Sequence, residues 1–354
     1  MRPARALIDL AALRHNYQLA RVRHGGRALA VVKANAYGHG ATQCARALAG
    51  LADGFAVAFL EEALELRAAG IRQPILLLEG PFAADELAEV QRHDLWIVVH
   101  DADQIRMIES SALRGPLNVW LKVNSGMNRA GFVPEVVEEA WHRLTDSGKV
   151  ASITLMTHFA RADEPHVITT SEQIDRFDAA TRHLPGARSL ANSGGVLGWP
   201  AAHRDWARPG ILLYGADPMP GNGNGLQPVM SLESAIIAVR EIETGQPLGY
   251  GARFVADRPT RVGLVAMGYA DGYPRVVADG TPLAVDGLRT RLIGRVSMDM
   301  LTVDLTDLPA SGIGSPVELW GRNIAVNRIA EAAGTIAYEL LCNVKRVRFE
   351  YCEG

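Results

Sequence analysis

The sequence predicts an α/β chain, with an N-terminal (β/α)8 TIM-like barrel and a C-terminal, mostly β domain. Three observations predict it. Short apolar runs alternate with amphipathic stretches through the first two-thirds of the chain. A run that cannot continue a helix or strand, Pro218-Met-Pro-Gly-Asn-Gly-Asn-Gly225, then breaks the pattern. Beyond it the texture changes to strands separated by turn residues. The expected domains are therefore 1–225, the barrel, and 226–354, the β-rich part.

Taken in order, Ala11 to about Arg23 carries Leu13, Tyr17 and Leu19 near the helical period, with polar residues between them. An apolar run, Ala28 to Val32, ends on Lys33. Strand-like Gly54 to Ala58 precedes helical Leu60 to Ala69, and Pro74 to Leu78 precedes helical Ala83 to Gln91. Leu95 to Val99, Leu117 to Val123 and Ile153 to Met156 read as further strands. Asp101 to Glu109, Pro134 to Thr145 and Ser171 to His183 read as the helices among them. About eight such units favour a closed barrel over an open sheet. After the break, Val229 to Ile242, Arg261 to Met267, Pro282 to Val285, Thr290 to Ile293, Thr302 to Leu305 and Pro316 to Trp320 are strand-like, and Asn327 to Ala333 is helical.

The 354 residues suffice for two domains with a large core. A net charge of -3 argues against a nucleic-acid or polyanion binder. The 3 cysteines, Cys44, Cys342 and Cys352, have no metal-ligand spacing, and a sparse, odd set fits a reducing cytoplasm. Asp9 arrives too early for a signal peptide, and no apolar run is long enough to span a bilayer.

The chemistry-bearing residues fall where strands stop. Val31-Val-Lys-Ala-Asn-Ala-Tyr-Gly-His-Gly40 puts Lys33 at such an end. A lone lysine there reads as a snorkelling surface residue, or as an amine that condenses with an aldehyde cofactor. Tyr37 and two glycines that admit close backbone approach favour the second. In Leu121-Lys-Val-Asn-Ser-Gly-Met-Asn-Arg-Ala-Gly131, Arg129 is a candidate carboxylate clamp or a surface ion-pairing arginine. Lys122, inside the strand, needs a charge partner or a modification if the strand is buried. His158 follows another strand beside Thr157, and structural and functional readings both stand for it. Ala191-Asn-Ser-Gly-Gly195 opens a short helix with the Ser193 hydroxyl and free backbone N–H groups, which suits a phosphate but also an ordinary turn. Arg208-Pro-Gly-Ile211 follows at the next strand end, and the last two βα loops of barrels often hold phosphate. Arg208 is a candidate partner for a cofactor ring nitrogen. Beyond the break, Tyr250 sits between two glycines. Met267-Gly-Tyr-Ala-Asp-Gly-Tyr-Pro274 holds Tyr269 and Asp271, and Gly294-Arg-Val-Ser-Met-Asp-Met300 holds Met298 and Asp299. By themselves these tyrosines read as core or turn residues.

The ordered set resembles the alanine racemase family across nearly the whole chain. The segments that carry it are those of Lys33, Arg129, His158, Asn192-Ser193, Arg208-Pro-Gly-Ile211, Tyr250, Tyr269-Ala-Asp-Gly, Met298-Asp299 and Tyr338-Glu339. The resemblance implies a barrel that binds pyridoxal 5'-phosphate (PLP), and a homodimer whose active sites are shared between subunits. It implies L-alanine and D-alanine as substrates, no metal, and a role in supplying D-alanine for wall peptidoglycan or in its catabolism. It casts Lys33 as the Schiff-base lysine and Tyr250 of the partner subunit as the second base. Arg129 and the partner's Met298 would contact the substrate carboxylate region. Tyr37, Ser193, Gly210, Ile211 and Tyr338 would hold the phosphate end of the cofactor, and Asn192 is a further cofactor-binding residue. His158 would pack on its ring and Arg208 would meet its nitrogen. Lys122 matches a position carbamylated in many members, Tyr269 resembles a gatekeeper, and Asp299 lies beside it in the supporting shell. Asn124, Ser125 and Ala130 depart from the threonine and leucine common in the arginine loop. A PLP decarboxylase on the same plan would use glutamate where Arg208 stands, and a non-catalytic PLP carrier would lack the second domain.

Overall fold

In the computed structural model, which describes residues 2–113, 115–221 and 223–353, the chain divides into two compact units. The larger comprises Arg14–Leu213 and Asp217–Leu226. The other comprises Met1–Leu13, Tyr214–Ala216 and Gln227–Gly354.

The larger unit is built on eight parallel strands: Arg27–Val31, Gly54–Val57, Ile75–Leu77, Leu95–Val99, Leu117–Lys122, Val150–Met156, Ala187–Ser189 and Trp206–Ala207. They follow chain order, and Trp206–Ala207 returns to pair with Arg27–Ala28. At the last seam no ladder forms. There the Ser189 hydroxyl donates to the Trp206 carbonyl at 2.8 Å, and the Arg208 N–H donates to the Ala191 carbonyl at 2.9 Å. Several of the strands are continuous apolar runs because both their faces are covered. Gly54–Val57 and Ile75–Leu77 are buried throughout. Helices such as Leu60–Ala68, Ala102–Ser110 and Thr169–Thr181 connect them. Ala102–Ser110 starts where the Asp101 carboxylate accepts from the Asp103 N–H at 2.8 Å, a side-chain N-cap. The amino ends of the strands are plugged by Trp96, Trp120 and Trp206, with ring centroids 5.6 to 6.2 Å apart. The Arg27 guanidinium lies 4.1 Å from the Trp206 ring centroid, a cation–π contact. The carboxyl ends are left to the polar residues.

The second unit is mostly sheet. Its long strand, Met230–Ile242, pairs with Arg5–Asp9, Pro316–Trp320 and Thr260–Val265, and bends at a bulge between Ile236 and Ala238. Pro282–Val285, Leu288–Arg291, Leu301–Asp304 and Arg348–Cys352 complete it. A separate ribbon, Pro247–Leu248 against Phe254–Val255, carries Tyr250 at its turn. Two helices, Val326–Ala333 and Ala337–Cys342, follow late.

The first residues depart from the expected boundary. Rather than joining the barrel, Arg5–Asp9 forms a strand of the second unit, antiparallel to the start of Met230–Ile242 and parallel to Arg348–Cys352. The cause is alternation. Ala6 and Ile8 point into the core, while the outward Arg5 bonds Glu233 at 2.7 Å and Glu350 at 3.2 Å. No helix among the described residues is long and apolar enough to cross a membrane.

Candidate active site

Lys33 lies just past the first barrel strand, and the backbone after it is unusual. Ala34, Asn35, Ala36 and Tyr37 all take φ between 51 and 53, a full turn of left-handed helix without a glycine. Each such residue costs on the order of 1–2 kcal/mol, so the turn must be held by its surroundings. The Glu62 carboxylate accepts from the Ala34 N–H at 2.6 Å, and the Asn35 side-chain oxygen accepts from the Ala41 N–H at 2.8 Å. Fully buried His39 places Nδ1 3.0 Å from both the Ala36 and Tyr37 carbonyls. Burial pushes the His39 pKa down to about 4, so the ring is neutral at pH 7 and Nδ1 carries the proton it donates. The result is that Lys33 stays half-buried at the strand end while Tyr37 turns inward. Exposed Ala34 supplies a test. Ala34→Gly removes the Cβ penalty and should stabilise the fold by up to about 1 kcal/mol. A denaturant midpoint lower than that of wild type would contradict the strain.

Tyr37 meets the last two loops. A Cβ on Gly210 would lie 2.5 Å from the Tyr37 hydroxyl oxygen, so that position admits only glycine without displacement. The Gly210 N–H donates to the Ser193 Oγ at 2.9 Å, and the Leu212 N–H points to the same oxygen at 3.4 Å. Tyr37, Ser193, Gly210 and Ile211 thus form one buried nest at the start of helix Ser193–Gly198. Asn192 serves differently from its neighbour. Its side-chain oxygen accepts from the Gly195 N–H at 2.9 Å and caps that helix.

Arg208 is nearly fully buried, and among the described residues it donates only to neutral oxygens. They are the Ser189 carbonyl at 2.8 Å, the Ser189 hydroxyl at 2.5 Å, the Leu190 carbonyl at 3.4 Å and the Thr157 carbonyl. Burial lowers its pKa to about 10, which leaves it charged at neutral pH. Among the described residues no carboxylate ion-pairs with it, nor with Lys33, Lys122 or Arg129. These four cations converge. Burial first, then Arg208, Lys122, Arg129 and Lys33 in that order, hold His158 well below the usual histidine range. Lys122 is buried, and burial outweighs the attraction of Glu79 to bring its pKa down to about 8, with Arg129, Arg208 and Lys33 adding to the fall. Buried Arg208 and Lys122 bring together positive charge that the attraction of Glu79 offsets only in part at Lys122, which is costly without an anionic ligand. These strand ends therefore suit a ligand carrying phosphate and carboxylate. No cluster of three His, Cys, Asp or Glu side chains among the described residues is arranged to hold a metal ion.

Arg129 is exposed on its loop. Asn124 organises that loop by accepting from the Asn128 N–H at 3.0 Å and the Gly126 N–H at 3.2 Å. The Ser125 hydroxyl bonds that of Thr157 at 2.8 Å. Buried Gln173 ties the same region together, donating to the His158 carbonyl at 3.1 Å and accepting from the Ala160 N–H at 2.9 Å.

The remaining candidates belong to the second unit. Tyr250 is 67% exposed on a turn between Gly249 and Gly251, whose φ values are 72 and 70. Met298 is 53% exposed. The Tyr269 and Ala270 N–H groups donate to the Ser297 and Met298 carbonyls, both at 3.0 Å, which joins the two turns. Asp299 receives Arg346 at 2.7 Å. Tyr338 is partly exposed on helix Ala337–Cys342.

The profile described as alanine racemase, N-terminal domain, matches residues 8–218, and that described as alanine racemase, C-terminal domain, matches residues 229–351. The chain belongs to the alanine racemase family. Alanine racemase of Aromatoleum aromaticum is 78% identical over 99% of this chain and 99% of its own. The crystal structure of biosynthetic alanine racemase from Pseudomonas aeruginosa superposes with a TM-score of 0.96 at 49% identity, covering 99% of this chain and 100% of that one. Alanine racemase from Bartonella henselae, described with covalently bound pyridoxal phosphate, superposes with a TM-score of 0.88 at 29% identity over 99% of each chain. Membership confirms the expected fold class. Within this alanine racemase scaffold, the departures at Asn124 and Ser125 have structural roles of their own, since both are hydrogen-bonded into the arginine loop and its support. Ser189, Gln173 and His39 were not legible as site residues. Gln173 alone carried a signal, because it shares the inward face of its helix with Thr170, Ile174, Phe177 and Thr181.

Proposed function

We propose that the chain is a PLP-dependent alanine racemase of the cytoplasm, and that it works with two bases, Lys33 and Tyr250 of the partner subunit. The observation that carries the reading is the set of cations and the nest at the carboxyl ends of the barrel strands. Lys33, Lys122, Arg129 and Arg208 all act on buried His158, with no carboxylate in an ion pair with any of them among the described residues, and Tyr37, Ser193 and Gly210 form a nest at strand ends of the same barrel. Ser193, Tyr37, Gly210, Ile211 and Tyr338 would hold the phosphate, Asn192 would cap the helix behind it, and His158 would lie along the ring. Arg208 would face the ring nitrogen. Its guanidinium does not surrender a proton at neutral pH, whereas the decarboxylase plan requires an acid there. A sparse, odd set of cysteines, Cys44, Cys342 and Cys352, suits a reducing compartment.

The chemistry that PLP supplies when bound is acidification of the substrate Cα–H bond. Inversion then requires proton removal on one face and delivery on the other. One side chain cannot serve both faces without crossing the substrate plane, so two groups are needed. Lys33 would serve the D face, and Tyr250 of the partner subunit the L face. Arg129 and the partner's Met298 would bind the substrate carboxylate region, Tyr269 would narrow the access path, and Asp299 would hold the Met298 segment. Tyr250 and Met298 are solvent-exposed in the single chain, as groups that complete another subunit's site would be. Because enantiomers have equal free energy, incubation with either L- or D-alanine should end at an equimolar mixture. A stable excess of either enantiomer with PLP-loaded protein would refute the racemase reading. Whether the D-alanine formed feeds wall peptidoglycan or the L-alanine formed feeds catabolism is a matter of which enantiomer the cell supplies.

Lys122 fits a carbamate. Its pKa of about 8 leaves a neutral amine population near physiological pH. The ammonium gives up one proton, and the neutral amine then adds to carbon dioxide, forming an N–C bond as one C=O π bond opens to C–O− and a second proton leaves, so that a buried cation becomes an anion beside Arg129. With 13C-bicarbonate, wild type should show a protein carbamate carbon signal that is absent in Lys122→Arg. An identical signal in both would remove the assignment.

A further inference from the structure

The second unit contains a buried ionic node that the two-base scheme does not use. Asp271 is fully buried, yet it is a carboxylate with two arginines. Arg2 grips it with one nitrogen at 2.9 and 3.0 Å from its two oxygens, and Arg346 Nε stands 3.7 Å away. The same carboxylate accepts from the Gly268 N–H at 3.1 Å, closing the turn Tyr269–Asp271 on itself. The other Arg2 nitrogen donates to the Arg346 carbonyl, and Arg346 in turn bonds Asp299 at 2.7 Å.

Each link touches a segment that carries a candidate site residue. The Asp271 turn presents Tyr269. It abuts the Met298 backbone so closely that a Cβ on Gly268 would lie 2.2 Å from the Met298 carbonyl oxygen. On its far side the Lys345 N–H donates to the Asp271 carbonyl at 3.0 Å, and a Cβ on Gly272 would lie 2.4 Å from the Asn343 carbonyl oxygen. The turn is therefore wedged between residues 297–298 and 343–345, and the Asp271 side chain ties it to the two arginines. Arg2 fixes that side chain from outside. Its own place is set by the strand Arg5–Asp9, hydrogen-bonded on both edges.

We propose that Arg2 is a positioning residue for the active site, holding the Tyr269 turn through Asp271 and the Met298 segment through Arg346 and Asp299. The proposal rests on the functional reading above. A bidentate-length guanidinium is needed to span two carboxylate oxygens and a carbonyl at once. Glutamine is too short to do so, and lysine keeps the charge with a single nitrogen. Displacement of Tyr269 and Met298 should weaken alanine binding and leave the cofactor untouched, because neither turn belongs to the cofactor nest.

The test compares wild type with Arg2→Gln and Arg2→Lys, measuring KM and kcat in both directions together with PLP affinity from absorbance. Arg2→Gln should raise KM for both enantiomers about tenfold, with kcat within about threefold and PLP affinity unchanged. Arg2→Lys should fall between the two. A KM for Arg2→Gln within about twofold of wild type would overturn the proposal, whatever happens to its melting temperature. Should Arg2→Gln fail to fold, Arg2→Lys decides: a raised KM with native PLP affinity supports the proposal, and a wild-type KM overturns it. A wild type that binds PLP but does not racemise alanine refutes the functional reading itself and removes this inference with it.

Discussion

Lys33→Ala should lose racemisation by at least about three orders of magnitude, because the substitution removes both the covalent anchor and one base. The local structure makes the expectation sharp. The barrel strand ends at Val31, the left-handed turn carries the chain away, and Lys33 remains as the half-buried amine at that rim. A rival exists in the same pocket. Lys122 has the depressed pKa that marks many nucleophilic lysines. It is, however, 7% exposed inside its strand, where an incoming aldehyde has little access. Borohydride reduction of PLP-loaded protein, followed by peptide mapping, separates the two. The fixed cofactor should map to Lys33 and vanish in Lys33→Ala. A fixed adduct at native stoichiometry in that variant, or one on the Lys122 peptide, would sink the assignment.

Tyr250→Phe should slow proton abstraction from L-alanine by about 10²–10⁴-fold. The effect on abstraction from D-alanine should be smaller, because Lys33 still serves that face. The primary isotope effect of the substrate Cα deuterium should become unequal in the two directions. Isotope effects unchanged from wild type in both would count against Tyr250. The same variant tests the shared site. Lys33→Ala and Tyr250→Phe chains are each deficient, yet a dimer of one with the other contains one site with both bases. Co-refolded at equal concentration, random pairing should restore about a quarter of wild-type activity. No recovery, with mixed dimers demonstrated, would mean that both bases come from one chain.

The barrel was legible because its signals are local. Each strand is a short apolar run such as Ile75–Leu77, and each helix declares itself by spacing or by a cap such as Asp101. Arg5–Asp9 was not legible, since its five residues mean nothing until Met230–Glu233 and Arg348–Cys352 arrive to pair with them. Helix Ala337–Cys342 is six residues long, too short for a period to show. The left-handed turn was hidden for another reason. Ala34-Asn-Ala-Tyr37 has no glycine, so nothing in its composition announces four positive φ values. At the site, strand-end position singled out Lys33, His158 and Arg208. The oxygens that hold Arg208 were out of reach, because Ser189 and the Thr157 carbonyl meet it only once the barrel closes. The ionic node at Asp271 joins residues 269 positions apart in the chain and had no local signature at all.

The central claim is inversion at Cα by two opposed bases. The measurement that tests it most directly is chiral analysis of L-alanine incubated with PLP-loaded protein in heavy water. The account predicts D-alanine carrying deuterium at Cα, formed as L-alanine is consumed. Deuterium in L-alanine without any D-alanine would mean a working base on one face only, and no exchange with PLP bound would contradict the account outright.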